Sequence, residues 1–146
     1  MYAAAIGVAR CAYILADAPS GKPDVLLLAT GSEVSLCLEA RERLSKEGIG
    51  ARVVSLPSWE IFDEQPKDYQ DRVLPPEIEA RVSVEAATTF GWAQFTGPKG
   101  AILGMRSFGL SAPMKVVAEH FGFEPGHIVT AAREQVAARA RASDCG

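Results

Sequence analysis

The sequence predicts an α/β fold, because short apolar runs alternate with a charged amphipathic segment. Three of the runs have the length and composition of buried strands; they comprise residues 24–29, 51–56 and 101–104. Between the first two, apolar side chains recur on one helical face, at Val34, Cys37, Leu38 and Leu44. Strand, helix and strand joined by short connections form a βαβ unit, whose crossover is right-handed and whose strands are parallel.

Weaker signals fill in the other elements of the first two thirds of the chain. Residues 11–16 and 81–86 predict two more strands, the latter with more charge. On the outer face of the first helix, Glu39 with Arg43 and Glu42 with Lys46 have the spacing of i,i+4 ion pairs, and Gly48 lies where a left-handed cap belongs. The proline-rich stretch that follows predicts one or two short surface helices, the first capped by Ser58.

Two helices are predicted near the end of the chain. Ser111 can cap the first, which has Pro113 in its first turn, ends at Gly122 and has an inner face of Met114, Val117, Ala118 and Phe121. The second begins at about Pro125 and has an inner face of Ile128, Ala131, Ala132 and Val136. We expect residues 1–9 and 138–146 to fray.

Length and composition restrict the class of protein. A chain of 146 residues is expected to form a single domain over 1–146. The net charge of -3, with well-mixed signs, argues against a nucleic-acid partner, and no run of about 18 apolar residues predicts a membrane span. The apolar N-terminal stretch lacks a basic leader and is expected to be mature protein. The three cysteines match neither a zinc motif nor a disulfide scaffold, which favours a cytoplasmic protein.

The turn after the first strand, Thr30-Gly31-Ser32-Glu33, could hold a phosphate or cap a helix. A dinucleotide fingerprint needs three glycines, and only Gly31 is present. T-x-x-E is the pattern of a capping box, and Glu33 would oppose an anion, so we favour the cap. The alternative is a crevice or anion site at the carboxyl ends of the strands, formed by Thr30, Gly31, Ser32, Glu33, Ser107 and Ser111.

No residue pattern predicts a catalytic or metal site. His120 and His127 have no metal ligands at a suitable spacing, and Cys37 is expected to be a small buried apolar group. Acidic residues of the first short helix could act as acid and base, but first-turn carboxylates are more often placed there by the helix dipole; they are Glu60, Asp63 and Glu64. An aromatic group follows the strand predicted at 81–86, and its pattern fits the core and a docking surface equally well. It comprises Phe90, Gly91, Trp92 and Phe95.

Five consecutive blocks carry a resemblance to a known family. They are LLLATGSEVSLCLEARERL, ARVVSLPSWEIFDEQ, YQDRVLPP, ARVSVEAATTFGWAQF and RSFGLSAPMKVVAEHFG. In order and spacing, residues 10–136 resemble the C-terminal domain of transketolases. The resemblance implies a three-layer α/β/α fold around a five-stranded, mostly parallel mixed sheet. It also implies part of a cytoplasmic, thiamine-diphosphate-dependent homodimer of the pentose phosphate pathway that transfers two-carbon ketol units between sugar phosphates.

The family's cofactor-binding elements are missing from the sequence. It has no GDG motif followed by a metal-binding Asn, and no domain with the glutamate that activates the cofactor or with the His and Arg groups that receive the sugar phosphate. The resemblance therefore implies an accessory, dimer-supporting domain that binds no cofactor itself, while the intact enzyme uses thiamine diphosphate and Mg. Its partners would be the remaining domains of the transketolase. The alternatives are a small-molecule regulatory domain, or the equivalent domain of a dihydroxyacetone synthase or phosphoketolase.

Overall fold

The computed structural model describes residues 9–85, 90–104 and 124–145. In chain order the elements are β1 (Tyr13–Ala16), β2 (Val25–Ala29), α1 (Glu33–Lys46), β3 (Ala51–Ser55), α2 (Trp59–Asp63), α3 (Lys67–Val73), β4 (Arg81–Glu85), α4 (Ala93–Thr96), β5 (Ala101–Gly104) and α5 (Pro125–Asp144). All five predicted strands are present within a residue or two of the expected bounds. The helix predicted from Ser111 lies outside the described residues.

The strands form one sheet in the order β1-β3-β2-β4-β5. β2 pairs in parallel with β3 and β4, and β4 pairs in parallel with β5, whereas β1 is antiparallel to β3 at the edge. Every residue of the central strand β2 is buried, as expected of a parallel strand covered on both faces. The five-stranded, mostly parallel mixed sheet is therefore confirmed.

Helices cover both faces of the sheet. On one face, Leu27 and Val53 pack with Leu44 of α1 and Ile128 of α5 in a single apolar cluster. On the other face, the alternate residues of the strands, such as Leu26, pack with side chains of α2, α3 and α4. Successive strand side chains point to opposite faces, so one apolar run supplies both clusters. The three-layer α/β/α arrangement predicted from the resemblance is confirmed.

The two long helices agree with their sequence signals in part. Glu39 and Arg43 form the predicted ion pair, and Gly48, which follows the C-cap residue Glu47 of α1, has φ +80°. α5 begins at Pro125 as predicted, but it continues to Asp144, beyond the point where fraying was expected to begin. Fraying concerns motion in solution, so for the end of α5 it stays a prediction.

Candidate functional site

The carboxyl edge of the sheet brings together the ends of β2 and β4. These strands are paired in parallel register, with Ala29 opposite Val84, so the next residues, Thr30 and Glu85, lie side by side. Thr30 Oγ1 donates a hydrogen bond of 2.7 Å to Glu85 Oε2. Sequence reasoning missed Glu85, although its place at the end of a predicted strand was a usable signal. Of the predicted crevice residues, Ser107 and Ser111 lie outside the described residues.

The predicted capping box is wrong. Ser32 occupies the N-cap position with φ -69° and ψ -23°, and no side chain caps α1. A capping side chain requires an extended backbone at the cap, which Ser32 does not have. The Thr30 hydroxyl donates to Glu85 at the end of the neighbouring strand, and the Ser32 hydroxyl donates to Glu33 Oε1. The turn instead depends on Gly31, whose φ of +54° is in the left-handed region.

The electrostatics of this edge disfavour an anion. Glu33 lies in the first turn of α1, where its charge already interacts favourably with the helix dipole. Glu85 adds a second carboxylate beside Thr30. Two acidic groups around one helix N-terminus would repel a phosphate, so the described part of the crevice can donate hydrogen bonds but is poorly suited to bind an anion.

In the aromatic group that follows β4, two side chains are buried in the core and one is exposed at the surface. Trp92 and Phe95 are buried at 0% and 4% exposure, whereas Phe90 is 83% exposed. The docking interpretation is therefore corrected for Trp92 and Phe95, which belong to the core. For Phe90 it stays a prediction.

Trp59 of α2 explains why Trp92 and Phe95 are buried. Its ring makes edge-on contacts with the rings of both residues, at centroid distances of 5.1 and 5.4 Å. Gly91, at φ +82°, lies so close that an added Cβ would approach a ring carbon of Trp59 to 2.6 Å. Sequence reasoning missed Trp59, because nothing local shows that α2 packs on the chain after β4.

His120 lies outside the described residues, and the remaining candidates within them do not assemble into a reactive site. Cys37 is buried, and burial, with a smaller contribution from the charge of Glu33, raises the pKa of its thiol to about 12. His127 is exposed at the start of α5. Ser58 is at the N-cap of α2, but its hydroxyl bonds to the Glu60 carboxylate and not to the helix backbone.

Within residues 9–85, 90–104 and 124–145, no group of three or more His, Cys, Asp or Glu side chains could hold a metal ion. Among the helices that the structure describes, none combines the length and apolar character that crossing a membrane requires.

The fold and its edges define a class: an α/β domain with a doubly covered mixed sheet. Comparison with known proteins identifies the family within that class. Residues 11–124 match the family model described as the transketolase-like C-terminal domain. The chain belongs to the transketolase family and corresponds to the C-terminal part of its members, which confirms the resemblance.

Individual relatives agree with this assignment. A chloroplastic transketolase of Craterostigma plantagineum is 49% identical over 131 residues, which are 89% of this chain and 25% of the relative. The structure of a transketolase from Leishmania mexicana superposes with a TM-score of 0.83 at 40% identity, covering 92% of this chain and 19% of that one. A Pichia stipitis transketolase in complex with sedoheptulose-7-phosphate gives a TM-score of 0.80 at 34% identity, with the same coverage. The chain thus spans a quarter or less of the length of these relatives.

Proposed function

We propose that this chain is the accessory, dimer-supporting C-terminal domain of an enzyme that transfers two-carbon ketol units between sugar phosphates. One observation carries the proposal: 89% of the chain aligns with a transketolase of which it covers only 25%. The thiamine diphosphate and divalent metal of such an enzyme would be held by the other domains. A cytoplasmic location, favoured by the cysteine pattern, belongs to the same proposal.

The chemistry of the described residues supports a non-catalytic role. A diphosphate is held in a protein through a divalent cation with several oxygen ligands, since desolvating the bare anion is costly. At the carboxyl edge, the charge of Glu33 already interacts with the dipole of α1, and the carboxylate of Glu85 already accepts a hydrogen bond from the Thr30 hydroxyl. The domain therefore contributes a rigid sheet and its surfaces, and we assign Phe90 as one contact to the remaining domains or to the second subunit.

A domain exchange tests the proposal. The chain would replace the C-terminal domain of the Craterostigma plantagineum transketolase, and the chimera would be compared with the same enzyme lacking that domain. We expect the chimera to dimerise and to transfer ketol units, and the truncated enzyme to lose dimer stability and activity. A chimera that folds but is as inactive as the truncated enzyme would contradict the proposal.

Variants of the chimera test the contact at Phe90. Phe90→Ser removes an exposed ring, and Ile61→Ser is a matched control, because Ile61 is the other large apolar side chain that is exposed in the described part of the chain. We expect Phe90→Ser to weaken dimerisation or activity more than Ile61→Ser. Equal effects would remove Phe90 from the interface.

Of the alternatives, the relatives just described favour a transketolase over a dihydroxyacetone synthase or phosphoketolase, since all of them are transketolases. A regulatory site in the Thr30 crevice is disfavoured by the two carboxylates there.

A further inference from the structure

A cavity of about 280 Å³ lies at the opposite edge of the sheet from Thr30. It opens where β4 and β5 begin, between the turn at 97–100 and the C-terminal half of α5. The residues that matter for its chemistry are Glu79, Arg81, Thr96, Gly97, Lys99 and Arg139. Its volume is just below the usual lower bound of about 300 Å³ for small-molecule sites, so it suits a compact ligand.

The lining is strongly cationic. Arg81, Lys99 and Arg139 contribute three positive charges, and Glu79 is the one carboxylate among the lining residues. Lys99 forms no ion pair with any residue that the structure describes. The lining residues therefore carry an excess of two positive charges, which the carboxylate of Glu77, outside the lining but near Arg81, partly offsets, and the net positive charge favours an anion.

Arg139 is the cation with a buried nitrogen atom that lacks a hydrogen-bond partner in the described part of the chain. Its Nη1 atom lies 3.4 Å from Glu79 Oε2, which is a long distance for an ion pair. Its Nε is buried and has no hydrogen-bond partner among the described residues. The side chain is only 20% exposed, so water compensates this guanidinium poorly. Buried charged donors are normally satisfied, and the long contact to Glu79 leaves N–H donors of the Nη groups for an anion in the cavity, whereas the buried Nε is not exposed to it.

Arg81 provides charge without needing the ligand for its hydrogen bonds. Its guanidinium donates to the backbone carbonyls of Ile78, Pro75 and Phe95 at 2.8, 2.9 and 2.6 Å. Partial burial lowers the pKa of Arg81, with the nearby carboxylates of Glu79 and Glu77 acting in the opposite sense. Arg81 is thus a cation in the wall of the cavity whose guanidinium is held in place by neutral backbone carbonyls.

The turn that bears Lys99 is held in place before any ligand arrives. Gln135 of α5 donates to the Lys99 carbonyl at 3.0 Å, which ties the turn to the helix that bears Arg139. Gly97, at the C-terminal end of α4, has φ +77°, and its N–H donates to the carbonyl of Ala93, the first residue of that helix. At Gly100 an added Cβ would lie 2.4 Å from the Thr96 carbonyl oxygen, so the turn is packed closely on α4. Such rigidity lowers the cost of ordering a binding site.

We propose that this cavity is a binding site for a compact phosphate-class dianion, held by the Nη groups of Arg139 and the ammonium of Lys99 in the field of Arg81. Arginine offers several N–H donors to one phosphate group, and lysine adds a point charge, which together match a small tetrahedral dianion. The inference is independent of the proposed transketolase function, because it depends on this edge of the domain alone.

Titration of the full 146-residue chain with inorganic phosphate, followed by calorimetry and by the unfolding temperature, tests the site. Ionic strength would be held constant with chloride. We expect saturable binding of one phosphate per chain. Lys99→Gln and Arg139→Gln should each weaken it about tenfold or more, as expected when a charged hydrogen-bond donor is removed.

Arg141→Gln is the matched control. It removes one positive charge from the same helix, near its end, at an exposed residue that does not line the cavity. We expect its phosphate affinity to equal that of the parent. Lys99 is exposed, so Lys99→Gln should fold even if Arg139→Gln does not. The proposal is overturned if the parent shows no saturable binding, if chloride competes as well as phosphate, or if Arg141→Gln and Lys99→Gln weaken binding equally.

Discussion

At the scale of single residues, Gly31 decides how the chain leaves β2 and enters α1. Its φ is +54°, and an added Cβ would meet only Glu33 Oε2, at an ordinary 3.7 Å. The cost of a side chain there is therefore backbone strain and not a clash. We expect Gly31→Val to lower the free energy of unfolding by about 1–3 kcal/mol, because a β-branched residue rarely adopts positive φ.

Gly31→Asn is the matched control, since asparagine tolerates the left-handed region far better than valine. Urea denaturation of both variants should show a smaller loss for asparagine. If valine is as stable as glycine, or if both variants lose the same amount, the positive φ of Gly31 is not what this turn requires.

Cys37 and Cys145 are predicted to differ in the reactivity of their thiols. Burial raises the pKa of Cys37 to about 12, so its reactive thiolate is essentially absent at pH 8, whereas Cys145 is exposed. We expect iodoacetamide to modify Cys145 in the native protein and Cys37 only in urea. Mass spectrometry of labelled peptides measures both sites at once. Native-state modification of Cys37 as fast as that of Cys145 would contradict its burial.

At the scale of elements, a bidentate ion pair links Asp17, the residue after the edge strand β1, to Arg52 of β3. Arg52 of β3 donates to both carboxylate oxygens of Asp17 at 2.8 and 2.9 Å, and also to the Arg72 carbonyl at 2.9 Å. The Arg52 side chain is 8% exposed and that of Asp17 is 35% exposed. Removing Asp17 would leave a buried cation without its carboxylate.

We expect Asp17→Ala to lower the free energy of unfolding by about 1–3 kcal/mol, below the full range for buried pairs because Asp17 is partly hydrated. Arg52→Met keeps an apolar stem and removes the charge, so the double variant should be more stable than Asp17→Ala alone. A double-mutant cycle by chemical denaturation measures this coupling. Strictly additive effects would show that the pair contributes no coupling energy.

The elements also show which features could be predicted from sequence. The buried strands were predictable because a strand covered on both faces must be apolar at nearly every position, as β2 is. The role of the Thr30 hydroxyl was not predictable, and the capping box expected there is absent, because Thr30 bonds to Glu85, which is 55 residues away in sequence. The burial of Trp92 likewise depends on Trp59, which a local pattern does not place beside it.

The cationic cavity shows the same limit. Arg139 belongs to the C-terminal Ala/Arg segment, in which the sequence predicts no site, but in the structure it lies on α5 beside Glu79 and lines a cavity with Lys99. Spacing along the chain revealed no site, since the lining residues come from three separate segments. Only the docking of α5 on the edge of the sheet brings them together.

At the scale of the whole molecule, we expect the isolated chain to fold but neither to bind thiamine diphosphate nor to transfer ketol units. Binding requires oxygen ligands that place a divalent metal on the diphosphate, and a carboxylate against the pyrimidine. No metal-ligand cluster exists among the described residues, and Glu33 opposes a phosphate at the N-terminus of α1.

Calorimetry with thiamine diphosphate, in the presence of Mg²⁺ or of EDTA, tests this expectation, and an intact transketolase serves as the positive control. Weak binding that is unaffected by EDTA and is lost in Lys99→Gln would report the cationic cavity, since that site needs no metal. Metal-dependent binding in the micromolar range, or ketol transfer by the purified chain, would show that a cofactor site exists within these 146 residues. Either result would overturn the assignment of the chain as an accessory domain, because the metal ligands would then have to come from the chain itself.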